Sequence, residues 1–486
     1  MGWQAIVIKA IIGFNYFVLF YFLILNSIYL LLFIISLFAV LKFVKRTFFS
    51  DYREIMQSEM TWPISVLVPA HNEEKTIVGT VQSLMMLNYS EYEIIVINDG
   101  STDNTLQNLI NAFELRKLDK VYRRSIPTEH VRGVYASLAN SNLLVIDKEK
   151  GGKADALNAG INLSKYPLFC SVDADSIIED NALLRVVKPF MEHPNETVAS
   201  GGIVRIVNGC EVKEGRVVGI SLPDKMLPIF QVVEYLRAFL TGRIGWSALR
   251  SLIIISGAFG LYKKSEVIEI GGYDHYTDTE DLELVVRLHE HMHQKKKKYR
   301  IVFVPDPVCW TEVPSKFKIL FRQRNRWHRG LLQTLFRHIH MLFNPRYRVI
   351  GLFATPYFFF FEMLGPFVEV LGYIAVILSF IFGILNVEFF LLFLAVAILY
   401  GIFLSIAAIL LEEFSFRRYP GWQDLSKLIV FGILENFGYR QLLAVFKIKS
   451  FWEYIRRRRK WGKMERIGFK EPVTVKATTP THHHSR

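Results

Sequence analysis

Carboxylates stand in pairs at two places in this sequence. Asp173 and Asp175 close the run Pro-Leu-Phe-Cys-Ser-Val-Asp-Ala-Asp, and Glu280 and Asp281 follow Thr279. An apolar run ending in two acids one residue apart reads as a buried strand that delivers both side chains to one face at a sheet edge, since strand side chains alternate. Two hard oxygen ligands there suit Mg²⁺ or Mn²⁺, which keep waters and substrate phosphates in their shell. The plainer alternative is a polar turn after a strand. Glu280 and Asp281 open a helical pattern, Leu282–His289, and a helix N-terminus favours acids. Capping therefore accounts for that pair as readily as catalysis when it is taken alone.

Two further stretches carry chemistry. In Lys150-Gly151-Gly152-Lys153, glycines precede a lysine at a helix start, which suits a diphosphate through backbone donors and a point cation. The spacing is not that of a Walker A loop. Gln323-Arg324-Asn325-Arg326-Trp327-His328-Arg329 is helical and strongly basic. Such a face at a membrane boundary often meets lipid headgroups, but Arg326 and Trp327 together can also form a phosphate clamp and a stacking surface.

These groups need a scaffold, and the pattern around them describes one. Trp62–Pro69 reads as a buried parallel strand, followed by Ala70-His71-Asn72-Glu73-Glu74 and a helix from Thr76 to Leu87. A second strand, Glu93–Ile97, runs into Asn98-Asp99-Gly100-Ser101, and Asn142–Ile146 and Ala199–Val207 read as further strands. Strand, acid-bearing loop and helix, repeated, is the signature of a doubly wound α/β sheet, whose ligands sit beyond the carboxyl ends of the strands. By that rule His71, Asp99 and the Asp173/Asp175 pair converge on one crevice.

Hydropathy divides the 486 residues into four parts. Residues 1–50 are an N-terminal transmembrane helix, 51–345 a cytosolic catalytic domain with interfacial helices, 346–450 membrane or interfacial helices, and 451–486 a basic tail with a tag-like end. The run from Phe14 to Val44 is too long for a signal-peptide core, and Lys42, Lys45 and Arg46 put its C-terminal end in the cytoplasm. Leu364–Leu385 and Phe389–Leu411 read as spans. Leu425–Phe446 carries Glu435, Arg440 and Gln441 and reads as a polar pathway or an interfacial helix. Phe230–Leu240 suits a helix lying on the membrane surface. Arg456–Arg459 argue for a cytoplasmic C-terminus and an even number of spans after the soluble part. Net charge is +13; basic residues beside apolar spans report orientation and anionic headgroups. No nucleic-acid motif is present. Cys170, Cys210 and Cys309 are odd in number and widely spaced, so they imply no disulfide framework or zinc site, which suits a reducing compartment. His482–His484 lie in the tag-like end and take no part in these assignments.

In this order, Asn98-Asp99-Gly100-Ser101, Asp173-Ala174-Asp175, Thr279-Glu280-Asp281 and Gln323-Arg324-Asn325-Arg326-Trp327 closely resemble the markers of membrane-embedded family 2 glycosyltransferases. That group includes the synthases of cellulose, chitin, hyaluronan and poly-N-acetylglucosamine, and the resemblance covers about Pro63 to Leu332. It implies an α/β GT-A fold, Rossmann-like, joined to transmembrane helices. It also implies an integral membrane enzyme with a cytosolic catalytic domain, a nucleotide-diphosphate sugar donor (usually uridine-linked), and Mg²⁺ or Mn²⁺. By similarity, Pro69, His71 and Glu73 would line the base and ribose and Asp99 would read the uracil. Lys153 would approach the diphosphate. Asp173 would contact ribose or metal, and Asp175 would ligate the metal. Asp281 would be the general base with Glu280 supporting it. Gln323, Arg326 and Trp327 would hold pyrophosphate and acceptor sugar, and Ser256, Gly257 and Phe259 fall at the acceptor end.

The physical logic of such a reaction agrees. Expelling a diphosphate builds negative charge that a cation can stabilise, and a carboxylate must take the acceptor's proton. One-step displacement inverts the anomeric centre, so an α-linked donor yields a β-linked product. The expectation is transfer to a growing β-linked polysaccharide coupled to export; the alternative is single-sugar transfer to a lipid acceptor. A transporter with a nucleotide-binding regulatory domain would leave Asp281 and Gln323–Trp327 without a task.

Overall fold

The computed structural model describes residues 3–48, 61–213, 215–419 and 421–456. Arg457–Arg459 of the basic tail and the three terminal histidines lie outside the described residues.

Long runs of Val, Ile and Leu buried on both faces build the centre of a ten-stranded sheet. The strands are β1 (Ile64–Ala70), β2 (Tyr92–Asp99), β3 (Leu115–Leu118), β4 (Val131–Ser137), β5 (Leu143–Lys148), β6 (Leu168–Val172) and β7 (Ser176–Ile178). They continue with β8 (Thr197–Ile206), a separate hairpin of β9 (Glu211–Lys213) and β10 (Arg216–Gly219), then β11 (Phe259–Lys263) and β12 (Arg300–Thr311). The sheet order is β3-β4-β5-β2-β1-β6-β11-β8-β12-β7. The block β5-β2-β1-β6 is parallel, and β11 joins β6 antiparallel. The chain works outward from β1 to β2 and β5, then returns to β6 on the other side. That reversal makes the carboxyl ends of β1 and β6 the switch point where such sheets bind ligands. The expected α/β GT-A architecture is present.

Asp173 and Asp175 do not lie on a strand. β6 ends at Val172, and both acids occupy the turn before β7, where the Ser176 amide donates to the Asp173 carbonyl at 3.0 Å. Turn geometry therefore aims the two carboxylates, not strand alternation.

The first helix is one continuous element, Trp3–Phe48, and Lys45 and Arg46 sit in its last turn. Among the described residues, Ile6–Arg46, Val387–Ser415 and Trp422–Ile455 are long and apolar enough to cross a membrane. The pair Ile350–Met363 and Gly365–Ile381, bent by 44°, makes a fourth if counted as one span. Glu435, fully buried in Trp422–Ile455, accepts from Ser405 Oγ at 2.6 Å and pairs with Arg237, so this polar residue finds its partners within the protein. Beside it the chain leaves helical geometry at Phe437 and Gly438, whose φ of +100° only glycine adopts readily.

Sheet and helices share one hydrophobic core. It runs from Val66 and Phe169 to Leu32 and Val40 of the first helix and to Ile409 and Phe431. The helix Met226–Leu236 buries Ile229, Val232 and Val233 in that seam, and its continuation through Arg237–Arg243 to Ala248 runs beneath the first helix. A Cβ on Gly245 would lie 2.9 Å from the Leu32 carbonyl, so glycine is what lets these two segments meet. Between sheet and membrane helices, Arg205 of β8 is ion-paired to buried Glu412.

Candidate active site

At the donor end, parallel register does the positioning. Asp99 of β2 lies opposite Lys148 of β5, and the Lys148 ammonium, fully buried, is 2.6 Å from Asp99 Oδ1 and 3.1 Å from Asp155 Oδ2. Asp99 also accepts from the Gly151 amide at 2.9 Å and the Gly152 amide at 2.7 Å. With both oxygens engaged, Asp99 braces the glycine loop. Gly152, at φ +92°, takes the turn that starts the helix Lys153–Leu163. His71 Nδ1 lies 2.9 Å from the Asp99 carbonyl and its Nε2 3.1 Å from Lys150 Nζ. Glu73 accepts from Thr76 Oγ1 at 3.0 Å and steadies the start of the next helix. Pro69 stands past Leu67–Ser171, where pairing of β1 to β6 stops, so its missing N–H leaves no gap in that ladder.

Lys153 is the hub of the next layer. Its ammonium is 2.6 Å from Asp173 Oδ1, 3.0 Å from Glu280 Oε1 and 3.4 Å from the Gly257 carbonyl. Burial works against that charge, but Asp173 and Glu280 overcome it and hold the amine protonated. Asp281 Oδ2 accepts from the Gly257 amide at 2.7 Å and Oδ1 from the Leu282 amide at 2.9 Å. The two adjacent acids are driven apart. Burial, then the charge of Glu280, raises the Asp281 carboxyl above the usual range. Burial acts on Glu280 too, yet Lys153 and then Arg326 bring it below that range. One acid is a fixed anion and its neighbour is the better proton acceptor, the pattern that assigns acid–base roles.

The helix Phe317–Arg337 forms the opposite wall. Gln323 Oε1 and Arg326 Nε are buried without hydrogen-bond partners among the described residues, and both residues line the cavity, as does Trp327, 37 % exposed. The Arg324 guanidinium lies 4.3 Å over the Trp327 ring and 2.8 Å from Glu234, which also accepts from Tyr439 Oη at 2.9 Å. Gly330 packs directly on Thr279, and a Cβ there would fall 2.0 Å from Thr279 Oγ1.

Lys153, Asp173, Asp175, Ser256, Gly257, Glu280, Asp281, Gln323, Arg326 and Trp327 all line one cavity of about 680 Å³. The same cavity continues between the membrane helices, past Tyr29, Glu362, Glu369, Tyr373, Arg440 and Gln441. Pro69, His71, Glu73 and Asp99 stand outside its lining. Phe259 does too: it is fully buried in β11 opposite Val172 and offers no surface to an acceptor, and Ala258 takes the lining position.

Sequence reasoning missed Arg243. It lines the cavity, stacks 4.0 Å over Phe239, and lies close enough for the Asp281 charge to act on it. Burial pushes its guanidinium down to about 10, against the opposing pull of Asp281. No motif marks it; the only signal was a cation three residues past the helical pattern ending at Leu240. Lys148 and Asp155 were also missed, although Asp147 and Lys148 closing the apolar run Leu143–Ile146 call for buried partners.

The profile of Glycosyl transferase family 2 matches residues 65–218, and that of Glycosyl transferase family group 2 matches 168–406. A poly-beta-1,6-N-acetyl-D-glucosamine synthase of Staphylococcus aureus is 31% identical over 277 residues, 56% of this chain and 56% of that protein. The synthase of the same name from Staphylococcus epidermidis is 30% identical over 275 residues, with the same shares covered. The chain thus spans about half the length of the curated relatives it matches. The solved mannosyltransferase PcManGT from Pyrobaculum calidifontis, in complex with GDP-Man and Mn²⁺, is 17% identical with a TM-score of 0.49, over 86% of this chain and 99% of that one.

Proposed function

We propose, of a chain that belongs to the family 2 glycosyltransferases, that it is an inverting, metal-dependent membrane enzyme extending a β-linked polysaccharide from a UDP-sugar. The observation that carries the reading is the continuous cavity, whose lining joins the carboxylate cluster to the polar faces of the membrane helices. Glu362, Glu369, Tyr373, Arg440 and Gln441 along that passage offer hydrogen-bond partners to the hydroxyls of a sugar chain. The positive end of the first helix, Lys45 and Arg46, supports a cytosolic catalytic domain with the passage leading outward. N-acetylglucosamine is the first sugar to test, because the named staphylococcal relatives are poly-N-acetylglucosamine synthases.

In this reading Asp281 takes the proton from the acceptor hydroxyl as attack begins, and its raised affinity for protons suits that task. Glu280 stays ionised and fixes Lys153 beside the diphosphate. Arg326 turns its unpartnered Nε to the leaving phosphates, and Trp327 stacks on the acceptor sugar. Asp99 acts through the glycine loop it braces and so sets the position of Lys153. Asp173 and Asp175, hard oxygen donors at the switch point, fit Mg²⁺ or Mn²⁺; such an ion, when bound, neutralises charge on the departing diphosphate.

Membrane fractions given a panel of labelled nucleotide sugars test this, with product sizing and linkage analysis. Long β-linked polymer from a uridine-linked donor is the expected result. A product one sugar long on a lipid overturns processivity, and an α-linkage overturns inversion.

A further inference from the structure

Histidines and a carboxylate also meet away from the cavity. Glu290 Oε2 lies 2.8 Å from His338 Nδ1 and its Oε1 3.0 Å from His340 Nε2, and one ligand atom from each of the three residues falls within 4.8 Å of the others. We infer that Glu290, His338 and His340 form a second metal site, for a Zn²⁺-class ion, distinct from the donor acids. Four-coordinate zinc with ligands at about 2.0–2.1 Å sets ligand atoms about 3.3 Å apart, so small shifts convert these hydrogen-bonded contacts into coordination. Two imidazoles and one carboxylate are a zinc ligand set, and nitrogen donors select such an ion over Mg²⁺. His340, its side chain 47 % exposed, leaves room for a water as fourth ligand.

The surroundings supply what a ligating histidine requires. Metal-bound histidines present their other ring N–H to a carboxylate. His338 Nε2 is 3.6 Å from Glu283 Oε1, and both atoms are buried without a hydrogen-bond partner among the described residues, with the Arg337 guanidinium 3.9 Å from the same oxygen. Arg287 holds the other Glu283 oxygen at 2.8 Å. Glu283 and Glu290 are two turns apart on one face of the helix Glu280–Gln294, and His338 and His340 stand just past the helix Phe317–Arg337. The ion ties the helix that begins with Glu280 and Asp281 to the far end of the helix carrying Gln323–Trp327. A further His–acid cluster among the described residues, Glu266, Glu269 and His291, already holds the Lys295 ammonium.

The test uses the full chain in detergent with His482, His483 and His484 changed to Ala, so that terminal imidazoles do not count. After chelator treatment and Zn²⁺ reloading, mass spectrometry is expected to find one zinc per chain, and Co²⁺ in its place to show the visible bands of a four-coordinate site. His340→Ala, an exposed change that the fold tolerates, is expected to abolish retention through dialysis. Glu283→Gln is expected to weaken zinc binding about 10–100-fold. Asp175→Asn is expected to keep the full equivalent. Unchanged zinc in His340→Ala, no zinc in the parent, or loss in Asp175→Asn each overturns the assignment.

Discussion

Gly330 lies in no motif, yet changing it to alanine is expected to disable the enzyme. The new Cβ would sit 2.0 Å from Thr279 Oγ1, 2.5 Å from its Cγ2 and 2.7 Å from its Cβ. Comfortable carbon contacts lie at about 3.5–4.0 Å, so the helix Phe317–Arg337 and the start of the helix Glu280–Gln294 must part by roughly 1 Å. Overpacking of this kind costs about 1–3 kcal/mol of stability. The larger effect is on rate: Arg326 and Trp327 sit on one side of this contact and Asp281 on the other. A displacement of about 1 Å between reacting groups lowers turnover on the order of 100-fold, which corresponds to about 2.7 kcal/mol of barrier. The Thr279 side chain makes no capping hydrogen bond, so Thr279→Gly removes all three clashing atoms without losing one. The assay is sugar incorporation by purified enzyme in lipid discs, with donor binding measured separately. Gly330→Ala is expected to lose about 100-fold in kcat with near-normal donor affinity, and the double variant with Thr279→Gly to recover most of it. Full activity in the single variant, or no recovery in the double, refutes a steric coupling between these helices.

Asp281→Asn is expected to abolish transfer while donor binding persists, and full activity would remove Asp281 as the base. Because Asp281 must be deprotonated to act and its proton affinity is raised, kcat/KM is expected to fall as pH drops through a value above the ordinary carboxylate range. Glu280→Gln removes a like charge and is expected to move that acid limb to lower pH; an unmoved limb would deny their interaction. Chelation of divalent ions is expected to stop turnover, with Mg²⁺ or Mn²⁺ restoring it, and activity that persists in chelator sinks the role given to Asp175. Glu412→Ala strands the buried Arg205 guanidinium and is expected to destabilise the protein by about 3–5 kcal/mol, read as a lower midpoint of thermal unfolding.

What could be read from sequence was periodic. β1, β2, β5 and β6 are apolar runs bounded by polar loops, and the helix following Thr279 announces itself through acids in its first turn. The rule that ligands gather at strand ends grouped His71, Asp99 and the Asp173/Asp175 pair; the pair lines the cavity, whereas His71 and Asp99 stand behind the glycine loop. Local pattern fails where a side chain's neighbour comes from a distant strand. Nothing within ten residues of Asp99 reveals Lys148, which reaches it only through the pairing of β2 with β5. Phe259 follows a loop that does line the cavity, and one step of strand alternation turns its ring into the core instead. Arg243 and Gly330 were silent because their importance is a distance of closest approach, which composition does not encode.

The helix Trp3–Phe48 is made long before the partners of its two buried asparagines. Asn15 Nδ2 donates to Ser379 Oγ and Asn26 Nδ2 to the Val396 carbonyl, each at 2.7 Å, across 364 and 370 residues of chain. At about 5–20 residues per second, those partners follow roughly 20–70 s behind. An amide in hydrocarbon has no water to bond meanwhile. Until the later helices emerge, each asparagine is left with its own helix's carbonyls, as Ser27 and Ser36 bond those of Leu23 and Leu32. Assembly is thus ordered in time: the helix Trp3–Phe48 is made well before the residues that satisfy its asparagines.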